Sequence, residues 1–249
     1  MEKKFKTIVV MPAYNAEKTL KITLDDIPAG SADEIILVDD ASKDRTAELA
    51  RGLGLKVIVH PENKGYGGNQ KTCYRAALDE GADIIVMLHP DYQYNPKLVP
   101  YLSGLIKEDI CDIVLANRIR TRREALEGGM PLYKYISNRG LTLFENLFLG
   151  LNLSEYHTGY RAYSRKALEM MPFEKCSDDF VFDQQILIQA AALGLRVGEI
   201  PVPAKYFADA SSINFARSTK YGLETLLNVA KFLFHKTGLL RSPLFTPNK

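Results

Sequence analysis

Five short runs rich in β-branched residues, TIVVM (7–11), EIILV (34–38), KVIV (56–59), DIIVML (83–88) and DIVLA (112–116), recur along the first half of the chain. Between them, residues 17–27, 46–53, 67–80 and 96–107 carry apolar side chains at spacings of three and four. Strands alternating with amphipathic helices bury both apolar faces when the strands run mostly parallel in one sheet and the helices cover it. The pattern therefore predicts an α/β fold. In such a sheet, ligands sit in the crevice beyond the carboxyl ends of the strands. MPAYN, DDAS and HPDYQ all fall at such ends, so three motifs are predicted to share one site.

With 249 residues, 46% of them hydrophobic, the chain can bury a sizeable core as one domain. A net charge of +2 gives no basis for a nucleic-acid partner. The cysteines Cys73, Cys111 and Cys176 are far apart, odd in number and without a CxxC pair, which points to a reducing, cytoplasmic compartment. The apolar run near the N-terminus stops at Pro12, too short for a secretory signal. No stretch approaches the ~20 apolar residues that span a bilayer. Membrane contact, if made, is expected to be peripheral.

The second half changes character. Between residues 118 and 139 lie Arg118, Arg120, Arg122, Arg123, Lys134 and Arg139 against Glu124 and Glu127. The segment that follows places Tyr133, Ile136, Leu143, Phe144, Leu147 and Phe148 at helical spacing, and a second helix over about 216–237 carries Leu223, Leu226, Leu227, Ala230, Leu233 and Phe234 on one face. A basic run beside an amphipathic stripe suits a membrane surface, although the same stripe can pack on the sheet.

Asp39 and Asp40 end the second strand, where a carboxylate can accept from a base N–H or ribose hydroxyls, and Asp40 or Ser42 can cap the next helix. His89, Asp91 and Gln93 alternate after the fourth strand. Imidazole, carboxylate and amide oxygen suit Mn2+ or Mg2+, and a solvated β-turn is the structural alternative. The run NKGYGGNQ lacks the last glycine of a dinucleotide fingerprint because Gln70 stands there. Its glycines are expected to let the chain approach a donor closely.

Taken in order, VVMPAYNAEKTL, EIILVDDASKD, ENKGYGGN, MLHPDYQY, HTGYRAYSR, FDQQI and GEIPVP resemble family 2 glycosyltransferases, in particular the dolichol-phosphate mannose synthase and polyprenyl-phosphate branch. The resemblance covers about residues 6–205. It implies a GT-A fold in one domain, with a nucleotide half to about residue 117 and an acceptor half beyond it. It also implies an inverting transfer from a nucleotide-diphosphate sugar, of GDP-mannose or UDP-sugar type, to a polyprenyl phosphate at the inner membrane face. By motif, Pro12, Tyr14, Glu17, Asp39, Asp40 and Arg118 are similar to donor-binding positions. His89, Asp91 and Gln93 match the metal motif, with histidine in place of its first aspartate. Arg161 is implied near phosphates and Asp183 on the acceptor side, while Ser137 and Arg139 lie in the helix implied at the acceptor side; past GEIPVP the family's late arginine falls on Phe207, and Lys205 is the phosphate contact expected to compensate. A glycan or soluble hydroxyl acceptor, with Asp183 as base, stays open. So do a non-catalytic sugar-nucleotide binder, a membrane-protein partner and a homo-oligomer.

Overall fold

The computed structural model describes residues 5–203 and 215–248. Lys205 lies outside these residues.

The strands are β1 (Thr7–Ala13), β2 (Glu34–Asp39), β3 (Lys56–Val59), β4 (Ile84–Met87), β5 (Ile113–Asn117), β6 (Arg161–Ser164) and β7 (Val197–Pro201). They form one sheet in the order β3-β2-β1-β4-β6-β5-β7. Neighbours pair in parallel except around β6, which is antiparallel to both β4 and β5. Each central strand alternates its side chains between two apolar layers. Ile8, Val10, Ile36, Val38, Ile85 and Met87 meet Cys73, Tyr74, Phe182 and Ile186 on one face. Val9, Met11, Leu37, Ile84 and Val86 meet Leu20, Ala50, Leu102 and Ile106 on the other.

The second layer is covered by α1 (Leu20–Asp25), α2 (Thr46–Gly52) and α4 (Val99–Lys107). The first is covered by α3 (Gly65–Asp79), α6 (Leu132–Leu149), α7 (Arg165–Met170), α8 (Phe182–Ala192) and α9 (Phe215–Lys236), while α5 (Arg122–Glu127) packs on α6. Helix α1 starts later than its apolar spacing suggests because the preceding turn is pinned to the β2–α2 loop. Ala16 N donates to Thr46 Oγ1 at 2.7 Å and Glu17 N to Asp44 Oδ2 at 3.1 Å. Capping of α2 also differs from expectation: Asp44, not Asp40 or Ser42, accepts from Thr46 N, at 3.0 Å.

The stripe of α6 divides. Phe144 and Phe148 turn to the core, whereas Ile136, Leu143 and Leu147 face outward, the last two 72% and 73% exposed. On α9 the buried side includes Thr225 and Asn228 beside Val229 and Phe232, and Leu223, Leu227 and Phe234 are exposed. Much of the apolar surface of both helices thus points away from the core. Among the described residues, no helix is long and apolar enough to cross a membrane.

Candidate functional site

Three parallel strands deliver their carboxyl ends to one side of the sheet, and the backbone is left-handed just beyond each. Asn15 follows β1 at φ 53°, Ala41 follows β2 at φ 58° and Tyr92 follows β4 at φ 58°. Side chains rarely adopt this conformation, and such residues cluster where a site dictates backbone direction.

At the β1–β2 end, Asp40 is already engaged. His60 Nδ1 lies 2.7 Å from its Oδ1, Lys64 N donates to the same oxygen at 2.8 Å, and Gly65 N donates to Oδ2 at 3.1 Å. Asp40 therefore anchors the start of α3. Asp39 uses Oδ2 to accept from Ser42 N, while its buried Oδ1 has no partner. Of the two carboxylates, Asp39 keeps the spare acceptor. Pro12 is buried in β1, Tyr14 is half exposed, and Glu17 pairs with Arg45 at 2.6 Å, which holds its carboxyl below the usual range.

The β4 end opens into a cavity of about 750 Å³ that His89, Asp91 and Gln93 line together with Asp183, Arg118, Lys134, Ser137, Phe144, Tyr221 and Leu226. Gln93 N donates to Asp91 Oδ1 at 3.1 Å, and Gln93 Nε2 is buried without a partner. Tyr66 donates its one proton to Asp183 Oδ2 at 2.6 Å, so the contact of His89 Nε2 with the Tyr66 oxygen at 3.3 Å is made by the ring N–H. Nδ1 is then the nitrogen able to ligate an ion. Burial lowers the His89 pKa, opposed by Asp91 and Asp183, and favours the neutral ring. Among the described residues no three His, Cys, Asp or Glu side chains converge. One carboxylate with one imidazole and an amide is a donor set that fits a divalent ion.

Behind this end, Arg161 is fully buried. Its guanidinium donates to Thr158 O at 2.6 Å, Asp183 O at 2.7 Å and Tyr156 O at 2.9 Å, and lies 3.8 Å from the Asp183 carboxylate. The expected contact with phosphates is not available to it in this fold. It braces the HTGYR segment against α8 instead. Asp183 also accepts from Gln70 Nε2 at 3.2 Å, so both of its oxygens are engaged.

The glycine-rich run also packs closely within the chain. A Cβ on Gly67 would come within 2.8 Å of Phe182 Cβ, and one on Gly65 within 2.7 Å of Asp178 O. These glycines let α3 lie against the segment before α8, where Gly67 N donates to Asp178 O at 2.7 Å. Tyr66, inside the same run, is thereby carried to Asp183. Its role is invisible in the spacing of the glycines around it.

On the far side, Arg118 binds the buried Glu155 through its backbone N–H and its Nε at 2.8 and 2.9 Å. Burial alone would raise the Glu155 pKa, but the charge and hydrogen bonds of Arg118 bring it below the usual range. Ser137 and Lys134 line the cavity, whereas Arg139 donates to Ser154 O and is not among the lining residues. Lys134, noted in the sequence only as part of the basic run, is the α6 cation at the cavity.

Comparison with known proteins agrees with this layout. The family model "Glycosyl transferase family 2" matches residues 8–171. The chain is 31% identical over 215 residues to a UDP-N-acetylglucosamine–dolichyl-phosphate N-acetylglucosaminyltransferase of Methanococcus voltae, covering 80% of this chain and 85% of that protein. It is 28% identical over 207 residues to an undecaprenyl-phosphate mannosyltransferase of Micrococcus luteus, covering 79% and 82%. In fold it is similar to glucosyl-3-phosphoglycerate synthase of Mycobacterium tuberculosis, solved with Mn2+, UDP and glucosyl-3-phosphoglycerate. The TM-score is 0.70 at 22% identity, over 96% of this chain and 82% of that one. The parallel strands with their convergent carboxyl ends are thus a GT-A sheet, and the chain belongs to glycosyl transferase family 2.

Proposed function

We propose that this glycosyltransferase moves a sugar from a nucleotide-diphosphate donor to a polyprenyl phosphate at the cytoplasmic membrane surface, with residues up to about 117 holding the donor. The observation that carries the reading is the lining of the cavity. It combines Asp91 and His89 with the cations Arg118 and Lys134 and with Leu141, Phe144, Leu223 and Leu226 from α6 and α9. These apolar residues adjoin the exposed leucines of both helices. A lipid phosphate needs cations and an apolar surface side by side.

In this reading Asp91, with His89 and Gln93, would hold Mn2+ or Mg2+, and the ion would supply charge neutralisation for a departing diphosphate. Asp39 accepts from the base, with Asp40 fixing the loop beside it. A phosphate oxygen attacks the anomeric carbon as the bond to the diphosphate breaks, with inversion. A phosphate monoester, with a second pKa of about 6, is largely dianionic at neutral pH and needs no strong base. This agrees with an Asp183 whose oxygens are already committed to Tyr66 and Gln70. Burial and the nearby Arg118 lower the Lys134 pKa, so Lys134 is a partly desolvated cation whose attraction for phosphate is strengthened.

Two measurements test the halves separately. Asp39→Ala is expected to weaken donor binding by roughly tenfold or more, the value of a lost hydrogen bond to a buried carboxylate. Titration calorimetry with nucleotide sugars reads this directly, and unchanged affinity would move the base pocket elsewhere. Asp40→Ala is expected to lower stability as well, because three donors lose their acceptor.

For the acceptor, Lys134→Ala is expected to raise the KM for polyprenyl phosphate roughly tenfold. Binding to anionic liposomes is expected to weaken with salt while an apolar component persists. Leu143→Asp with Leu147→Asp should abolish that component without loss of fold, since both side chains are exposed. A folded wild type that ignores liposomes and polyprenyl phosphate but glycosylates a soluble hydroxyl, with Asp183 essential, assigns the protein to that other acceptor class.

A further inference from the structure

Two fully buried glutamates lie beside the cavity, and they differ. Glu155 is satisfied by Arg118 and by Asn138 Nδ2. Glu145, on α6, has no hydrogen-bond partner on either oxygen. Its Oε2 lies 3.3 Å from His157 Nε2, and His157 Nδ1 lies 2.8 Å from the Tyr221 hydroxyl on α9. Both His157 and Tyr221 line the cavity. A carboxyl buried purely to tie helices together would be met by donors, as Glu155 is.

We propose that Tyr221 supplies a hydroxyl donor to the acceptor phosphate from the α9 side, and that Glu145 and His157 are positioning residues that orient it. The proposal rests on the acceptor reading above. With Glu145 as a neutral acid, its O–H faces the His157 Nε2 lone pair. The single ring proton is then on Nδ1 and donates to the Tyr221 oxygen, leaving the Tyr221 proton for the cavity or for Thr225 on the same helix. When Glu145 loses its proton, the order reverses. Nε2–H turns to the carboxylate, Nδ1 becomes an acceptor, and the Tyr221 proton is drawn to it. The cavity then meets an oxygen lone pair, which repels phosphate.

The surroundings favour the neutral form. Burial pushes Glu145 up to about 8, against opposing effects of Gln184 on α8 and Arg161 on β6. Burial pulls His157 down to about 4, with Glu155 opposing and Arg118 and Arg161 reinforcing. Asp183 also acts on Tyr221, Glu145 and Glu199 act on Tyr156, and Lys134 lines the same cavity as His157 and Tyr221.

The test is acceptor kinetics across pH in wild type, Glu145→Gln, Glu145→Leu and Tyr221→Phe. Wild type is expected to lose acceptor affinity as pH rises through about 8, where Glu145 ionises. Glutamine keeps an N–H for Nε2 and cannot ionise, so Glu145→Gln should restore what Glu145→Leu loses and lack the alkaline rise in KM. Tyr221→Phe should raise acceptor KM roughly tenfold, with much smaller changes in kcat and donor affinity. An alkaline rise that persists in Glu145→Gln, or an unchanged KM in Tyr221→Phe, overturns the proposal. Melts without substrate separate the two readings. A folded-state pKa near 8, above the ordinary 4.5, costs the wild type stability relative to Glu145→Gln as pH climbs between those values. A wild type inert towards polyprenyl phosphate overturns the acceptor reading and the role of Tyr221 with it. A melt difference that fails to appear overturns the neutral Glu145 whatever the acceptor.

Discussion

Asp91→Ala is expected to cut sugar transfer by roughly 10³-fold, the equivalent of about 4 kcal/mol of barrier. Asp91 is the carboxylate of the β4 motif that lines the cavity, and the neighbouring ligands proposed there, His89 and Gln93, are uncharged. Without the carboxylate, neither side chain provides the negative charge that a divalent ion needs in order to compete with water. Removal of metal from the wild type by EDTA should produce a loss of the same size, and added Mn2+ or Mg2+ should restore the wild type but not the variant. Asp91 is partly exposed at a turn, so melting temperature should hardly change. Equal transfer by EDTA-treated and metal-loaded wild type would sink the assignment.

Arg161→Met is expected to destabilise the fold by about 3–5 kcal/mol, the range for a buried ion pair that loses one member. At this chain length that corresponds to a fall in melting temperature of roughly 10 °C. Methionine fills much of the volume but leaves the carbonyls of Thr158, Asp183 and Tyr156 without donors and the Asp183 carboxylate without its cation. Arg161→Lys should recover only part of the loss, because an ammonium cannot reproduce a planar fork aimed at three separate carbonyls. Urea denaturation reads the effect. A variant with wild-type stability that has lost only donor binding would mean that Arg161 meets phosphate after all.

The fold was largely legible from the chain because its signal is local. The five β-branched runs became β1 to β5 with shifts of a residue or two at their ends; β1, β4 and β5, buried on both faces, must be apolar throughout, while the edge strand β3 is marked by its β-branched residues alone. Antiparallel β6 was not legible, because RAYS carries no mark of direction and its place between β4 and β5 is a tertiary fact. The site divides in the same way. His89, Asp91 and Gln93 were expected to share one face and do line one cavity. Roles that depend on distant partners could not be read. Arg161 serves carbonyls of its own segment and of α8, Arg139 turns to Ser154, and Glu145 and Glu155 differ only in which donors reach them.

The inverted strand also bears on how such a chain can diverge. The backbone leaves the sheet after Asn117 in β5 and re-enters at Arg161 in β6, and these strands are direct neighbours, with Leu115 opposite Arg161. Residues 118–160 are therefore an excursion tied shut at its base by the sheet itself. Their length, helices and surface can be exchanged at little cost in chain-closure entropy, because the mouth of the excursion stays the same. Meanwhile β1, β2 and β4, which carry the left-handed turns and the carboxylates, are untouched. The architecture makes the segment exchangeable as one unit without moving those strand ends, and α9, which lines the same cavity from outside it, would then meet a changed partner surface.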